Sequence, residues 1–336
     1  MHSGTFAILL SFALLVTACG QSTPPVSNGA QSTNGSVAQT DDLPSRAKLP
    51  EQRGDYRTKI IRMTEVTDEA PDDPSGSPFR LVRYDSEVGK LAAYITRDPG
   101  DGEKHPAVIW AKGGFGGIGN WLWERMPKEN DQSAMAFIDS GLVVMCPSWR
   151  AENDNPGKFE MFYGEVDDLM AALKYLKALP WVDANRIYLA GHSTGGTMAL
   201  LGACATDDFR AVFSFGGCPD LKLVVGDGEG WGNTPFSYRN EDEVRLRSPL
   251  TFVGAITTPT FYFEGEESPY IADSQLMEQQ AKKVDAPFHA YEIKGGTHFN
   301  ILHDLMRMVA KKITLDTGET CNIEFSSSEV ALEFEE

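Results

Sequence analysis

The chain has 336 residues, a formal charge of −18 and a pI near 4.8. So acidic a chain argues against a nucleic-acid partner and against electrostatic attachment to anionic lipid. Its 41% hydrophobic and 23% charged residues are ordinary for a globular protein long enough for one large or two small domains.

Residues 6–16 form an apolar run too short to span a bilayer. It ends in Val16-Thr17-Ala18-Cys19-Gly20. An apolar residue, two small residues and a cysteine resemble the lipobox of bacterial lipoproteins, in which the cysteine becomes the lipidated N-terminus. The stretch before it lacks the Lys or Arg usual there, and an ordinary secretory signal cut near Ala18 is the alternative. The expectation is a signal segment over 1–19 and a membrane anchor at Cys19 in the bacterial cell envelope. By the same resemblance, Gly20 favours the outer membrane. Residues 20–54, rich in Ser, Thr, Gly, Gln, Asn and Pro, read as a disordered tether that cannot bury a core.

Strands are expected at 59–66, 79–84 and 91–96, then a short apolar one at 107–111 of the kind buried in a parallel sheet. Lys112-Gly113-Gly114-Phe115-Gly116-Gly117 follows it directly. The glycines read either as a flexible loop before a helix or as backbone that aims N–H groups at a developing oxyanion. Phe115, Trp121 and Trp123 are candidate pocket walls or core. Next come a buried strand at 142–146 and a helix at 163–179, where Val166, Leu169, Met170, Leu173, Leu176 and Leu179 recur at helical spacing. Asp167 and Asp168 lie in its early turns, where acids complement the helix dipole, and read as structural.

The chain is organised around residues 186–196. A buried strand at 187–190 runs into Gly191-His192-Ser193-Thr194-Gly195, and a helix opens at Gly196. This G-x-S-x-G pattern suits a nucleophile at the apex of a strained strand-to-helix turn, where residues without side chains must flank it. Alternating strands and helices on either side imply a parallel sheet covered on both faces.

The run from Gly164-Glu165-Val166-Asp167-Asp168 through Trp181-Val182-Asp183-Ala184-Asn185-Arg186-Ile187 to Ser193 resembles the catalytic domain of the prolyl oligopeptidase and dienelactone hydrolase branch of the α/β-hydrolases. The resemblance covers residues 106–312. It implies an α/β-hydrolase fold over 55–313: a mostly parallel sheet flanked by helices, with N-terminal antiparallel strands and a small cap insertion at about 221–258. It also implies an oxyanion hole from Gly114, Phe115 and Thr194, and a small esterase rather than a propeller-bearing peptidase. Lys112 stands where that family commonly has His.

Such enzymes order their triad as Ser, acid, His. A strand at 288–293 followed by Lys294-Gly295-Gly296-Thr297-His298 makes His298 the expected base, with His303 a surface or packing residue. The strand at 260–264 ends in Glu264-Gly265-Glu266-Glu267-Ser268, and the family's Gly-x-x-Asp would place its acid at Ser268, which cannot be anionic. Glu267 next to it is the first choice for the acid. Asp220, after the strand at 211–215, is the second.

Trp231, Phe236 and Tyr238 in the cap are candidate pocket residues. Cys146, Cys204, Cys218 and Cys321 permit three disulfide pairings or none. The histidines are scattered and no C-x-x-C occurs, so the reading calls for no metal and no cofactor. The acidic tail 314–336 is expected to be peripheral. The expected activity is hydrolysis of a small-molecule ester, or less readily a short peptide, through an acyl-serine. A serine peptidase without a propeller and a catalytically dead binding protein are the alternatives.

Overall fold

Residues 43–63, 69–226, 231 and 234–332 are described by the computed structural model, so the lipobox, most of the tether and parts of the cap lie outside the described residues. The strands are β1 (Phe79–Ser86), β2 (Gly89–Thr96), β3 (His105–Ala111), β4 (Val143–Pro147), β5 (Val182–His192), β6 (Val212–Phe215), β7 (Thr260–Gly265) and β8 (Phe288–Ile293). They form one sheet in the order β1-β2-β4-β3-β5-β6-β7-β8. β1–β2 and β2–β4 are antiparallel; every later pair is parallel.

Helices α1 (Leu49–Arg53), α2 (Met135–Asp139), α3 (Glu165–Lys177), α4 (Thr194–Ala205), α5 (Glu241–Arg245), α6 (Ile271–Lys283), α7 (Leu302–Leu315) and α8 (Ser327–Leu332) complete the described regular structure, with short 3-10 turns between them. The alternation of side chains along each strand splits the core in two. Ala107, Ile109, Ile187 and Leu189 pack with Leu169 and Leu173 of α3 and with Leu200 of α4. Val108, Trp110, Tyr188 and Ala190 pack on the other face with Phe137 of α2 and with Leu305 and Val309 of α7. The helix α4 is buried along its whole length, which is why its residues are apolar or small all round.

Three boundaries differ from the sequence expectation. Residues 43–54 are not all tether: Leu49 is fully buried, and the Lys48 ammonium donates to the Ala255 carbonyl at 2.8 Å. Residues 59–63 form no strand. They run along the cap, where Lys59 N–H donates to Glu243 and Ile61 N–H to the Pro235 carbonyl, each at 2.8 Å; residues 64–66 lie outside the described set. The tail is not peripheral either. Ile323 and Val330 are buried, Phe325 packs edge-on against Phe261 and Phe263, and Asp316 is clasped by Arg210 and Tyr188. Its apolar residues cover sheet surface that its acidic composition hides from view. Cys146, Cys204, Cys218 and Cys321 are free thiols.

Candidate active site

Ser193 sits between the last residue of β5 and the first turn of α4 with φ 55° and ψ −118°, a left-handed conformation that costs a non-glycine residue on the order of 1–3 kcal/mol. The surroundings enforce it. Ser193 N–H donates to the Phe215 carbonyl at 2.8 Å, and the Ser193 carbonyl accepts from Thr197 N–H at 3.0 Å. A Cβ on Gly195 would run into the backbone carbonyls of Ala111 and Lys112, so only glycine lets α4 start this close to β3.

The histidine loop after β8 arrives from the other side. His298 Nδ1 lies 3.0 Å from Glu264 Oε2. Glu264 is fully buried, and its Oε1 accepts from Gly265 N–H at 2.9 Å. Both groups lean on Gly216: with φ 66°, it follows β6, and a Cβ there would come within 2.5 Å of Glu264 Oε2 and 2.6 Å of His298 Nδ1. That glycine connects the serine's strand to the pair, since Phe215, its neighbour, holds Ser193 N–H.

The carboxylate on His298 is therefore neither of those expected from the sequence. Glu267 is exposed, in the turn closed by Ser268 N–H on the Gly265 carbonyl at 3.0 Å. Asp220 is occupied locally, accepting from Lys222 N–H at 3.0 Å and from the Ser248 hydroxyl at 3.1 Å. Counting along the Gly-x-x-Asp pattern assumed an acid in the turn. Here the acid is the last residue but one of β7 itself. The available signal was a glutamate inside an otherwise uncharged buried strand, which needs a partner to be tolerated.

The glycine loop and the helix are tied together on the opposite flank. The Gly114 carbonyl accepts from the Thr194 hydroxyl at 2.9 Å and from the Lys112 ammonium at 3.0 Å. Because the peptide is planar and trans, this fixes Phe115 N–H to point the opposite way. Thr194 N–H, in the first turn of α4, has no partner within its helix. Lys112, standing where His was expected, pairs with Glu152 at 2.9 Å, both buried. It braces the loop from beneath.

Residues 137–293 match the prolyl oligopeptidase family, Peptidase_S9. This stretch is a prolyl oligopeptidase family domain within the α/β-hydrolase superfamily. The uncharacterized peptidase YtmA of Bacillus subtilis (strain 168) is 24% identical over 216 residues, 61% of this chain and 80% of that protein. Among solved structures, dipeptidyl peptidase 4 of Porphyromonas gingivalis superposes with a TM-score of 0.59 at 18% identity, covering 71% of this chain and 35% of that one. An esterase of Pyrobaculum calidifontis does so at 0.54 and 17%, covering 77% and 87%. The chain thus spans about a third of the length of that peptidase and most of that esterase; at these identities the structural likeness shows the fold alone. Family and relatives agree on hydrolysis.

Beside the elbow of this prolyl oligopeptidase domain lies a narrow cleft of about 10 Å³, lined by Gly114, Phe115, Phe159, Phe162, Thr194 and Met198 among others. Phe115 stands 4.9 Å from Phe159 and 5.8 Å from Trp231, so two of the expected pocket aromatics meet here. Trp123 instead packs on Phe79 and Tyr94, Trp121 flanks the same opposite-face core, and Phe236 lies under the Arg247 guanidinium. Of the six described non-glycine residues with positive φ, Ala151, Asn153, Met161 and Phe162 belong to the two loops around this cleft, and Ser193 to the elbow. Strain concentrated there is what a pre-organised site shows.

His192, passed over in the sequence as the residue before the serine, holds the His298 loop. Its Nε2–H donates to the His298 carbonyl at 3.0 Å, and the two rings lie 4.7 Å apart. Burial, then the charge of His298, pushes its pKa from the ordinary 6.5 down to about 3. The sign follows directly. The unfolded chain takes up this proton near pH 6.5 and the native state only near pH 3, so the stability His192 contributes is complete above 6.5 and drains as pH falls toward 3. Urea unfolding at about pH 7 and about pH 4.5 should show a steeper acid loss in the wild type than in His192→Gln. Parallel losses would mean that His192 does not resist protonation.

Proposed function

We propose that the protein cleaves esters of small acyl groups, and more slowly the corresponding amides, through an acyl-serine intermediate. The observation that carries the reading is the Glu264–His298 contact of 3.0 Å at the end of the sheet where the strained Ser193 sits. Ser193 Oγ attacks the carbonyl carbon. His298 Nε2 takes its proton and later delivers it to the leaving oxygen or nitrogen. Glu264 fixes the tautomer through Nδ1 and stabilises the imidazolium. Phe115 N–H and Thr194 N–H face the developing oxyanion, with Gly114 supplying the turn between them. Water then repeats the sequence on the acyl-enzyme. The narrow cleft favours short acyl groups, and the likeness to a compact esterase supports an ester over a long peptide. A dead binding protein was suggested by Ser268; a carboxylate on His298 removes that motive.

A fluorophosphonate probe should label the purified protein, and the modified peptide should map to Ser193. Short 4-nitrophenyl esters should turn over faster than the matching anilides. No labelling and no turnover in a folded sample would overturn the reading. The same reading extends to location: an anchor at Cys19 in the cell envelope, supported by the Val16-Thr17-Ala18-Cys19 pattern alone. Radiolabelled palmitate should enter the wild type and not Cys19→Ser; equal incorporation would refute it.

A further inference from the structure

One wall of the cleft beside Ser193 has no part in the reaction above. Glu165, the first residue of α3, is 3% exposed and lines the cleft with Phe115, Phe159, Phe162, Thr194 and Met198. Its Oε1 accepts from Glu160 N–H at 2.8 Å, but its Oε2 is buried with no hydrogen-bond partner. A buried acceptor left unmade is among the costlier defects a fold can carry. The nearby cation does not answer it, because Arg150 is engaged by Asp168 at 2.9 Å and by Glu160 at 3.5 Å. Burial, opposed but not offset by Glu160 N–H and Arg150, pushes the Glu165 carboxyl up to about 8.

The cleft is also lined by the rings of Phe115, Trp149, Phe159 and Phe162, with Trp231 behind them, and by Arg150 and Glu152, which are held by Asp168 and Lys112. Phe115 and Phe162 lie 5.7 Å apart, and Trp231 stands 5.7 Å from Phe162. Aromatic rings beside a carboxyl that burial alone keeps protonated suit an organic cation, which would displace that proton, pair with the carboxylate so formed and rest on the rings. The space, about 10 Å³, has room for an ammonium head and none for a guanidinium.

We propose that this cleft is a specificity subsite for a primary ammonium carried by the substrate close to its scissile carbonyl, with the ammonium donating to Glu165 Oε2 and its methylene among the rings. The substrate class is then small aminoacyl esters or amides with a free amine. This rests on the serine-hydrolase reading and narrows it.

The test uses the full chain with 4-nitrophenyl acetate as reporter. Propylammonium should compete with the reporter at a concentration about tenfold lower than its neutral isostere 1-propanol, the worth of one charge-assisted hydrogen bond. Glycyl 4-nitroanilide should likewise exceed propionyl 4-nitroanilide in kcat/KM, and Glu165→Gln should erase both preferences while its thermal melting reports the fold. Equal competition by the cation and the alcohol in the wild type overturns the subsite, whether or not the Gln variant folds. Retained labelling of Ser193 by fluorophosphonate in that case leaves the hydrolase reading standing. Loss of labelling in the wild type would strike the hydrolase reading itself.

Discussion

Glu264→Gln is expected to lower kcat by roughly 10⁴, the cost seen when a catalytic histidine loses its carboxylate and is locked in the wrong tautomer. The geometry says why the neutral isostere is so damaging. Glu264 Oε1 already accepts from Gly265 N–H, so the Gln oxygen would stay there and its NH₂ would face His298 Nδ1. Nδ1 must then accept, Nε2 carries the proton, and no lone pair remains to receive the one from Ser193. Side-chain volume and packing hardly change, so folding should survive and fluorophosphonate labelling should become slow rather than vanish. Glu267→Gln and Asp220→Asn should leave turnover unaltered, since one is exposed and the other caps its own turn. A large loss in Glu267→Gln with Glu264→Gln near wild type would transfer the role back to the turn.

Asp168→Ala should destabilise the protein by about 3–5 kcal/mol, the usual cost of orphaning a buried charge. Asp168 is fully buried and accepts three bonds from Arg150: from its N–H at 3.0 Å, and from Nε and Nη2 at 2.9 Å each. Burial works against the Arg150 charge, but the bonds and charge of Asp168 outweigh it and hold the guanidinium more basic than usual. Removing the carboxylate leaves Arg150 buried with only Glu160 at 3.5 Å. The double exchange Arg150→Met with Asp168→Leu should recover much of the loss, because no unpaired charge then remains. Urea midpoints measure both. A single-variant loss under about 1 kcal/mol would mean that water reaches Arg150 and the pair is not a buried one.

How much of this was legible in the chain differs from element to element. The strand at 288–293 and the one ending at Glu264 were readable to within a residue because β-branched and aromatic runs bounded by Gly and Pro leave little choice. The elbow was readable because its glycines are demanded by close backbone approach. The acid was not: which carboxylate of Glu264, Glu266 and Glu267 faces His298 depends on the pleat of β7 and on where the histidine loop crosses it. Those are pairings across 34 positions that no local pattern encodes. The tail and residues 43–54 failed for the opposite reason, since polar composition suggested solvent while a few apolar residues, Leu49, Ile323 and Val330 among them, decided the packing.

Both ends of the described chain are pinned to distant partners: Arg46 donates to the Val284 carbonyl at 2.5 Å, and Arg210 clasps Asp316 at 2.6 Å. During synthesis, the first of these clasps must wait for residues made more than two hundred positions later. The strand that ends at Ser193 is complete long before Glu264 and His298 emerge. Such long-range closures slow the search for the native state. The hydrolysis proposed above should therefore be the last property a refolding sample regains, trailing helix content, and a chain stalled before β8 would carry Ser193 in its elbow as a bystander.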